Sequence, residues 1–145
     1  MFIDASAIVA IISQEKEAAQ LLEKIHAAQL PIHYSSLVVF EAVIALARKK
    51  KISLYGENSS TPAGLIGDTR QLVVDFLDQI GATEIDIPIG LHDIALDAAK
   101  TYGRFVGHPA KLNFGDCFTY AAAKTLKSPL LFVGEDFALT DIEAA

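Results

Sequence analysis

Residues 1–12 read MFIDASAIVAII, and the way this stretch divides decides the fold. Met1–Asp4 reads as a short strand, and Ala5–Ile12 as a helical turn that follows with no loop between them. A strand feeding straight into a helix is the opening of an α/β unit. Outward from there the pattern repeats. Ser13 is placed to cap a second helix, Glu15–Ala28, whose Ala18, Leu21, Leu22 and Ile25 fall at helical spacing. Pro31 breaks the chain, Ile32–Ser35 reads as a strand, and Ser35 or Ser36 caps a helix over Leu37–Lys50. Leu54–Gly67, LYGENSSTPAGLIG, is rich in Gly, Ser, Asn and Pro and reads as a loop. Thr69–Ile80 is an amphipathic helix closed by Gly81, and Thr83–Ile87 alternates as a strand does. Leu91–Phe105 reads as a helix interrupted near Gly103. The loop Gly107–Gly115 leads to a helix over Asp116–Leu126, and Leu130–Val133 is the last strand. Alternating strands and helices predict one domain over residues 1–145, a three-layer α/β/α arrangement on a mainly parallel sheet. Ligands of such sheets collect beyond the carboxyl ends of the strands.

Composition agrees with a folded domain: 145 residues, 52% hydrophobic and 21% charged, enough to bury a core without disulfides or structural zinc. A single cysteine, Cys117, excludes an internal disulfide, fits a reducing cytoplasm, and reads as a small core residue. The first residues lack a basic segment and carry Asp4 inside the apolar stretch, so no targeting signal is read there. No apolar run approaches the ~18 residues that span a bilayer, so no membrane is expected. The net charge of −6 argues against broad, sequence-independent nucleic-acid binding, which needs basic surface. Carboxylates gathered around divalent cations would also make a protein look acidic, so the charge does not exclude a nuclease.

Four acids stand in places that ordinary roles explain only one at a time. Asp4 ends the first strand, where its ordinary role would be N-cap of the helix that begins at Ala5. Glu41 lies in LVVFEAVIALA, residues 37–47, with one polar residue in eleven. A helix apolar all round is buried, and Leu37, Val38, Ile44 and Ala45 flank Glu41 at helical spacing. A buried carboxylate is normally paired or bound to metal; a distant Lys or Arg partner, or a place at the rim of the core, would explain it otherwise. Asp116 opens a helix after LNFG, with Asn113 an alternative cap. Asp136 follows the last strand in LLFVGED, beside Glu135, and spacing does not choose between those two. As a set, two strand-end acids, one helix-start acid and one acid inside an apolar helix suit metal-assisted phosphodiester hydrolysis. Mg²⁺ and Mn²⁺ prefer oxygen ligands and take only a few carboxylates, keeping water. His26, His33, His92 and His108 are scattered and form no zinc-like cluster. For RNA phosphates the candidate cations are the run Arg48–Lys51 and the pair Arg104 and Lys111, although a solvated helix end or loop is the simpler explanation of each.

FIDASAIVAII, the glutamate within SSLVVFEAVIALARK, and GHPAKLNFGDCFTYAAAKTLKSPLLFVGEDFALTDI together resemble the VapC toxins of the PIN-domain superfamily. The middle, Lys51–Gly90, matches only in its pattern of elements. The resemblance implies a PIN-like fold and a catalytic, metal-binding set of Asp4, Glu41, Asp116 and Asp136, choosing Asp136 over Glu135. Ser6 and Thr140 match positions that support the acids, and Asn113 is counted with them. It further implies an endoribonuclease using Mg²⁺ or Mn²⁺, the toxin of a type II toxin–antitoxin pair, with RNA as substrate, a cognate antitoxin as partner, and a homodimeric state. Two other readings keep parts of this picture: a metal-dependent phosphohydrolase on small phosphate esters, or a non-catalytic protein-binding module. The first lacks a D-x-D pair, since Ala5 and Ser6 follow Asp4, and any phosphate-binding glycine loop.

Overall fold

The structure, a computed structural model, describes residues 1–145. Four short strands, β1 (Phe2–Ile3), β2 (His33–Ser35), β3 (Thr83–Ile85) and β4 (Leu130–Leu131), form one sheet in the order β3-β2-β1-β4. Every pairing is parallel, with Phe2 opposite both His33 and Leu130. Six α-helices connect and flank the strands: α1 (Ala5–Ile12), α2 (Ala18–Ala27), α3 (Ser36–Tyr55), α4 (Ala63–Gln79), α5 (Leu91–Tyr102) and α6 (Phe114–Leu126). The chain therefore runs outward from β1 to β2 and β3, then crosses back to add β4 on the other side of β1. Crossovers of this kind are right-handed, so reversing the direction of travel sends α5 and α6 to the opposite face from α1–α4. The reversal leaves a crevice at the carboxyl ends of β1 and β4, the usual place for a ligand in this architecture.

Phe2, Ile3, Leu130 and Leu131 are at most 1% exposed, because the two central strands are covered on both faces. Around them Ile8, Leu21, Val38, Leu46, Val73, Leu77, Ala121 and Ala123 close one core.

The elements depart from the sequence reading at their edges. Ser13 does not open the second helix but ends the first: its N–H bonds Val9 O, and Gln14 beside it takes a left-handed φ of 54°. The second helix starts at Ala18. Helix α3 continues five residues past Lys50, and α4 begins six before Thr69, leaving only Gly56–Pro62 of the expected loop. Thr69 lies inside α4, 2% exposed, and its hydroxyl donates to Leu65 O at 2.7 Å. That back-bond satisfies a polar group that would otherwise mark a boundary. Gly81 does terminate α4, at φ 65°, with Ala82 N–H reaching back to Leu77 O. Nor is α3 buried all round. Phe40 is 68% and Ile44 39% exposed, so the apolar run covers the core on one side and lines open surface on the other.

Candidate metal centre

Asp4 leaves the end of β1 with extended backbone and caps α1. Its Oδ2 accepts from the Ser6 N–H (2.8 Å) and the Ser6 hydroxyl (2.5 Å). That hydroxyl accepts in turn from the Val133 N–H at 3.0 Å, tying the carboxylate to the chain just beyond β4. The other oxygen, Oδ1, is buried and has no hydrogen-bond partner. Burial pushes the Asp4 carboxyl above its ordinary range, with Ser6 and the nearby Thr119 opposing the rise. Capping therefore uses one oxygen of the side chain and leaves the other free.

Asp116 has the same division. Asn113 caps α6, accepting from Asp116 N–H at 3.1 Å, while Asp116 Oδ2 accepts from Asn113 N–H at 2.7 Å. This capping box fixes the carboxylate at the helix start. Burial pushes its pKa up to about 6; the Asn113 bond and Arg104 lower it, and Asp4 and Asp136 raise it. Glu41 is pushed up to about 7, by burial first and then by the charges of Asp4 and Asp116. The charges of Asp4 and Asp116 thus oppose the ionisation of Glu41, and that of Asp4 opposes the ionisation of Asp116. Asp136 is exposed and stands farther out, at the start of a short 3-10 turn, yet its charge still reaches Asp116. Nothing comparable links Glu135 to the acids.

Other expected residues sit elsewhere. The Thr140 hydroxyl donates to Phe137 O and accepts from the Ile142 N–H, closing a turn. The basic run is dispersed by the turn of α3. Lys49 pairs with Glu15, Lys51 is buried and donates to Glu57 O, and only Arg48 faces the cleft beside Glu41. Lys111 is exposed outside that cleft, which Arg104 lines. His108 Nδ1 accepts from the Ala110 N–H, a local structural role.

Two positions here escaped the sequence reading. Thr119 follows Asp116 by one helical turn and is buried toward Asp4; the i, i+3 spacing was its only signal. Gly115 sits under the Glu41 carboxylate: a Cβ there would stand 2.8 Å from Glu41 Cδ and 2.9 Å from Oε1. Glycine is needed for this close approach, since its φ is ordinary. Gly115→Ala is expected to fold, because a side-chain end can swing away, but to move Glu41 from its seat. Metal affinity of the purified variant, read by calorimetry with Mn²⁺, should fall about 10–100-fold, the usual cost of disturbing a ligand's support. Unchanged affinity would show that Glu41 needs no such seat.

A hard divalent cation fits these donors. All are oxygens, Asp4 Oδ1 is unpartnered, and the raised pKa values mark carboxyls that are partly dry and lie near other acids. No three His, Cys, Asp or Glu side chains stand close enough together to hold an ion among themselves.

A four-stranded parallel sheet with acids gathered beyond its central strands defines a class, and the family model that matches is that of the PIN domain, over residues 1–143. A VapC ribonuclease of Rhizobium meliloti is 42% identical over 141 residues, covering 97% of this chain and 98% of its own. Ribonuclease VapC42 of Mycobacterium tuberculosis is 34% identical over 145 residues, with 100% and 98% covered. The chain belongs to the VapC ribonuclease family of PIN-domain proteins. In fold it is similar to Mycobacterium tuberculosis VapC20, a sarcin-ricin-loop-cleaving toxin, with a TM-score of 0.67 at 11% identity over 99% of this chain and 97% of that one.

Proposed function

We propose that this chain is a single-domain endoribonuclease, the toxin of a toxin–antitoxin pair, acting with Mg²⁺ or Mn²⁺ held by Asp4, Glu41 and Asp116, with Asp136 completing the site. The observation that carries the reading is the unpartnered, buried Asp4 Oδ1 beside two partly buried carboxyls, Glu41 and Asp116, whose pKa values are raised by burial and further by the charge of Asp4. Carboxylates gathered at such cost are normally kept for a cation. When bound, the ion would activate water and stabilise charge on the phosphodiester. The chain's own contribution is placement. Ser6 and the Asn113 capping box orient two carboxylates, Gly115 admits the third, and Asp136 approaches from the open side. Arg104, close enough to lower Asp116, offsets charge where an RNA phosphate would enter.

An antitoxin and a second copy of this chain are the proposed protein partners, and the cytoplasm the proposed location. Leu96, Phe105 and Val106, 57–63% exposed on α5 and the turn after it, support a protein contact on that flank. No helix is long and apolar enough to cross a membrane.

Purified protein should cleave total RNA in Mg²⁺ or Mn²⁺ and stop in EDTA, while nitrophenyl phosphate stays intact. Its expression without a partner should arrest growth. Full RNA cleavage in EDTA would refute the metal reading, and hydrolysis of the small ester alone would replace RNA as the substrate.

A further inference from the structure

Next to the acids, a cleft of about 450 Å³ runs between α3 and the start of α6, opening at Glu41 and Gly115. Phe40 and Phe114 stand in it, 68% and 63% exposed. Phenylalanine rings normally leave water, and neither ring is needed by the chemistry described above. Phe114 is braced all the same: its ring leans on Phe118 at 4.9 Å between centroids and 50° between planes, so one side is packed and the rest is open.

The same cleft holds Arg48 and Arg104, and neither guanidinium belongs to any of the five ion pairs. Arg104 is nonetheless felt by Asp116. Open aromatic rings, unpaired planar cations and a cluster of carboxylates therefore share one surface. Rings take the face of a base, and guanidinium forks take phosphate oxygens. A protein segment is a poorer match. Half the residues lining this cleft are not apolar, whereas eight of ten are apolar in the neighbouring cleft of about 510 Å³ between α5 and α6. The second cleft has the surface an apolar peptide would seek; the first has the charge that a nucleotide would.

We propose that Phe40 and Phe114 form a stacking platform for an unpaired base adjoining the scissile phosphate, with Arg48 and Arg104 holding the neighbouring backbone phosphates. The proposal rests on the ribonuclease reading and deepens it. The platform takes a base only once it is splayed out, because a base kept in a duplex cannot leave its stack for a protein ring. It also assigns this position weak preference among bases, since every base offers a π-face.

The test compares two fluorescein-labelled 12-nucleotide RNAs, one of mixed sequence and one with abasic riboses throughout, by anisotropy in EDTA with gel analysis for intact RNA. Phe40→Ala and Phe114→Ala should each weaken binding of the mixed-sequence RNA about 5- to 100-fold, the usual worth of a base–aromatic stack. Binding of the abasic RNA should not change. Phe114→Tyr, which keeps the ring, should bind as the unmutated protein does. Arg104→Gln should weaken both RNAs alike and flatten their salt dependence. Equal effects of the Phe variants on the two RNAs, or none on either, would overturn the platform. So would Phe variants that hold RNA normally but lose the co-expressed antitoxin, which would assign the cleft to a protein. Failure of the underlying reading looks different: the unmutated protein would cleave no RNA in Mg²⁺ or Mn²⁺.

Discussion

Asparagine in place of Asp116, or of Asp4, is expected to slow RNA cleavage at least about 100-fold while the protein stays folded. Asn retains an oxygen able to accept the capping bond from Asn113 N–H, or from Ser6 N–H, so the helix starts survive. What disappears is the charge on the oxygens turned toward the site. Disturbing even the groups that orient a metal ligand costs about 10–100-fold, so removing the ligand's charge should cost more. The contrast is Asp141→Asn. Asp141 accepts from the Tyr120 hydroxyl at 2.7 Å and pairs with Lys124 at 2.8 Å; these contacts hold its pKa below the ordinary value, away from the acid cluster. That variant should lose some stability and keep its cleavage rate. Single-turnover cleavage in Mg²⁺, with thermal melts of the same samples, decides the matter. Rates for Asp4→Asn and Asp116→Asn within a few-fold of the unmutated protein would show that these acids are helix caps and nothing more.

The first half of the sheet was readable because β1 and β2 pass abruptly into the helices that follow them. FIDAS changes from extended to helical at one residue, where Asp4 caps the helix, and Asn113 caps α6 after a loop. Boundaries failed where a side chain found a partner distant in sequence or one turn back. Thr69 looked like the start of a helix until its hydroxyl was seen to bond Leu65 O inside one, and Ser13 proved to close a helix rather than open the next. The expected long loop shrank because Gly64 and Gly67 are tolerated within α4.

At the acids, sequence reasoning correctly judged Glu41 to be unusual, but for a partly mistaken reason. The apolar residues around it do not all enclose it. Leu37, Ile44 and Ala45 line the cleft through which it meets solvent. Periodicity reports that a helix face is apolar; it does not report whether that face meets the core or is kept open for a ligand. The charged run 48–51 fails similarly, since a helix distributes four successive residues around its whole circumference. Gly115 had no sequence signal at all, because its role is defined by a carboxylate 74 positions away that only the fold brings near.

Metal-free protein should be more stable near pH 5 than near pH 7.5, against the common trend for carboxylates in folded proteins. The folded-state pKa of Glu41 is about 7 against 4.5, and that of Asp116 about 6 against 3.8, with Asp4 raised as well. A raised acid favours folding below its unfolded value, where it is protonated in both states, and that advantage is lost as pH climbs through the folded value. The window is therefore about pH 4.5–7, and below it ordinary acid unfolding sets in as groups such as Asp141, whose pKa is lowered, become protonated. A carboxyl fully shielded from solvent loses about 1.4 kcal/mol for each tenfold change in its proton affinity. Glu41 is only partly buried, and screening reduces its share, so the difference across the window should be about 1–2 kcal/mol for Glu41 and Asp116 combined. In a domain of this size that moves the melting temperature by about 2–8 °C. Glu41→Gln should raise the melting temperature at pH 7.5 in EDTA and flatten the profile, because the amide carries no charge to repel Asp4 and Asp116. Excess Mn²⁺ should lift the unmutated protein most at pH 7.5, where the carboxylates are ionised, because a ligand bound only by the folded state stabilises it; the Gln variant should respond less. The deciding data are melts of both proteins from pH 5 to 8, with EDTA and with Mn²⁺. A Glu41→Gln protein that melts lower than the unmutated one throughout, with neither responding to metal, would mean that Glu41 is held by a structural partner and that the acids do not form a cation site.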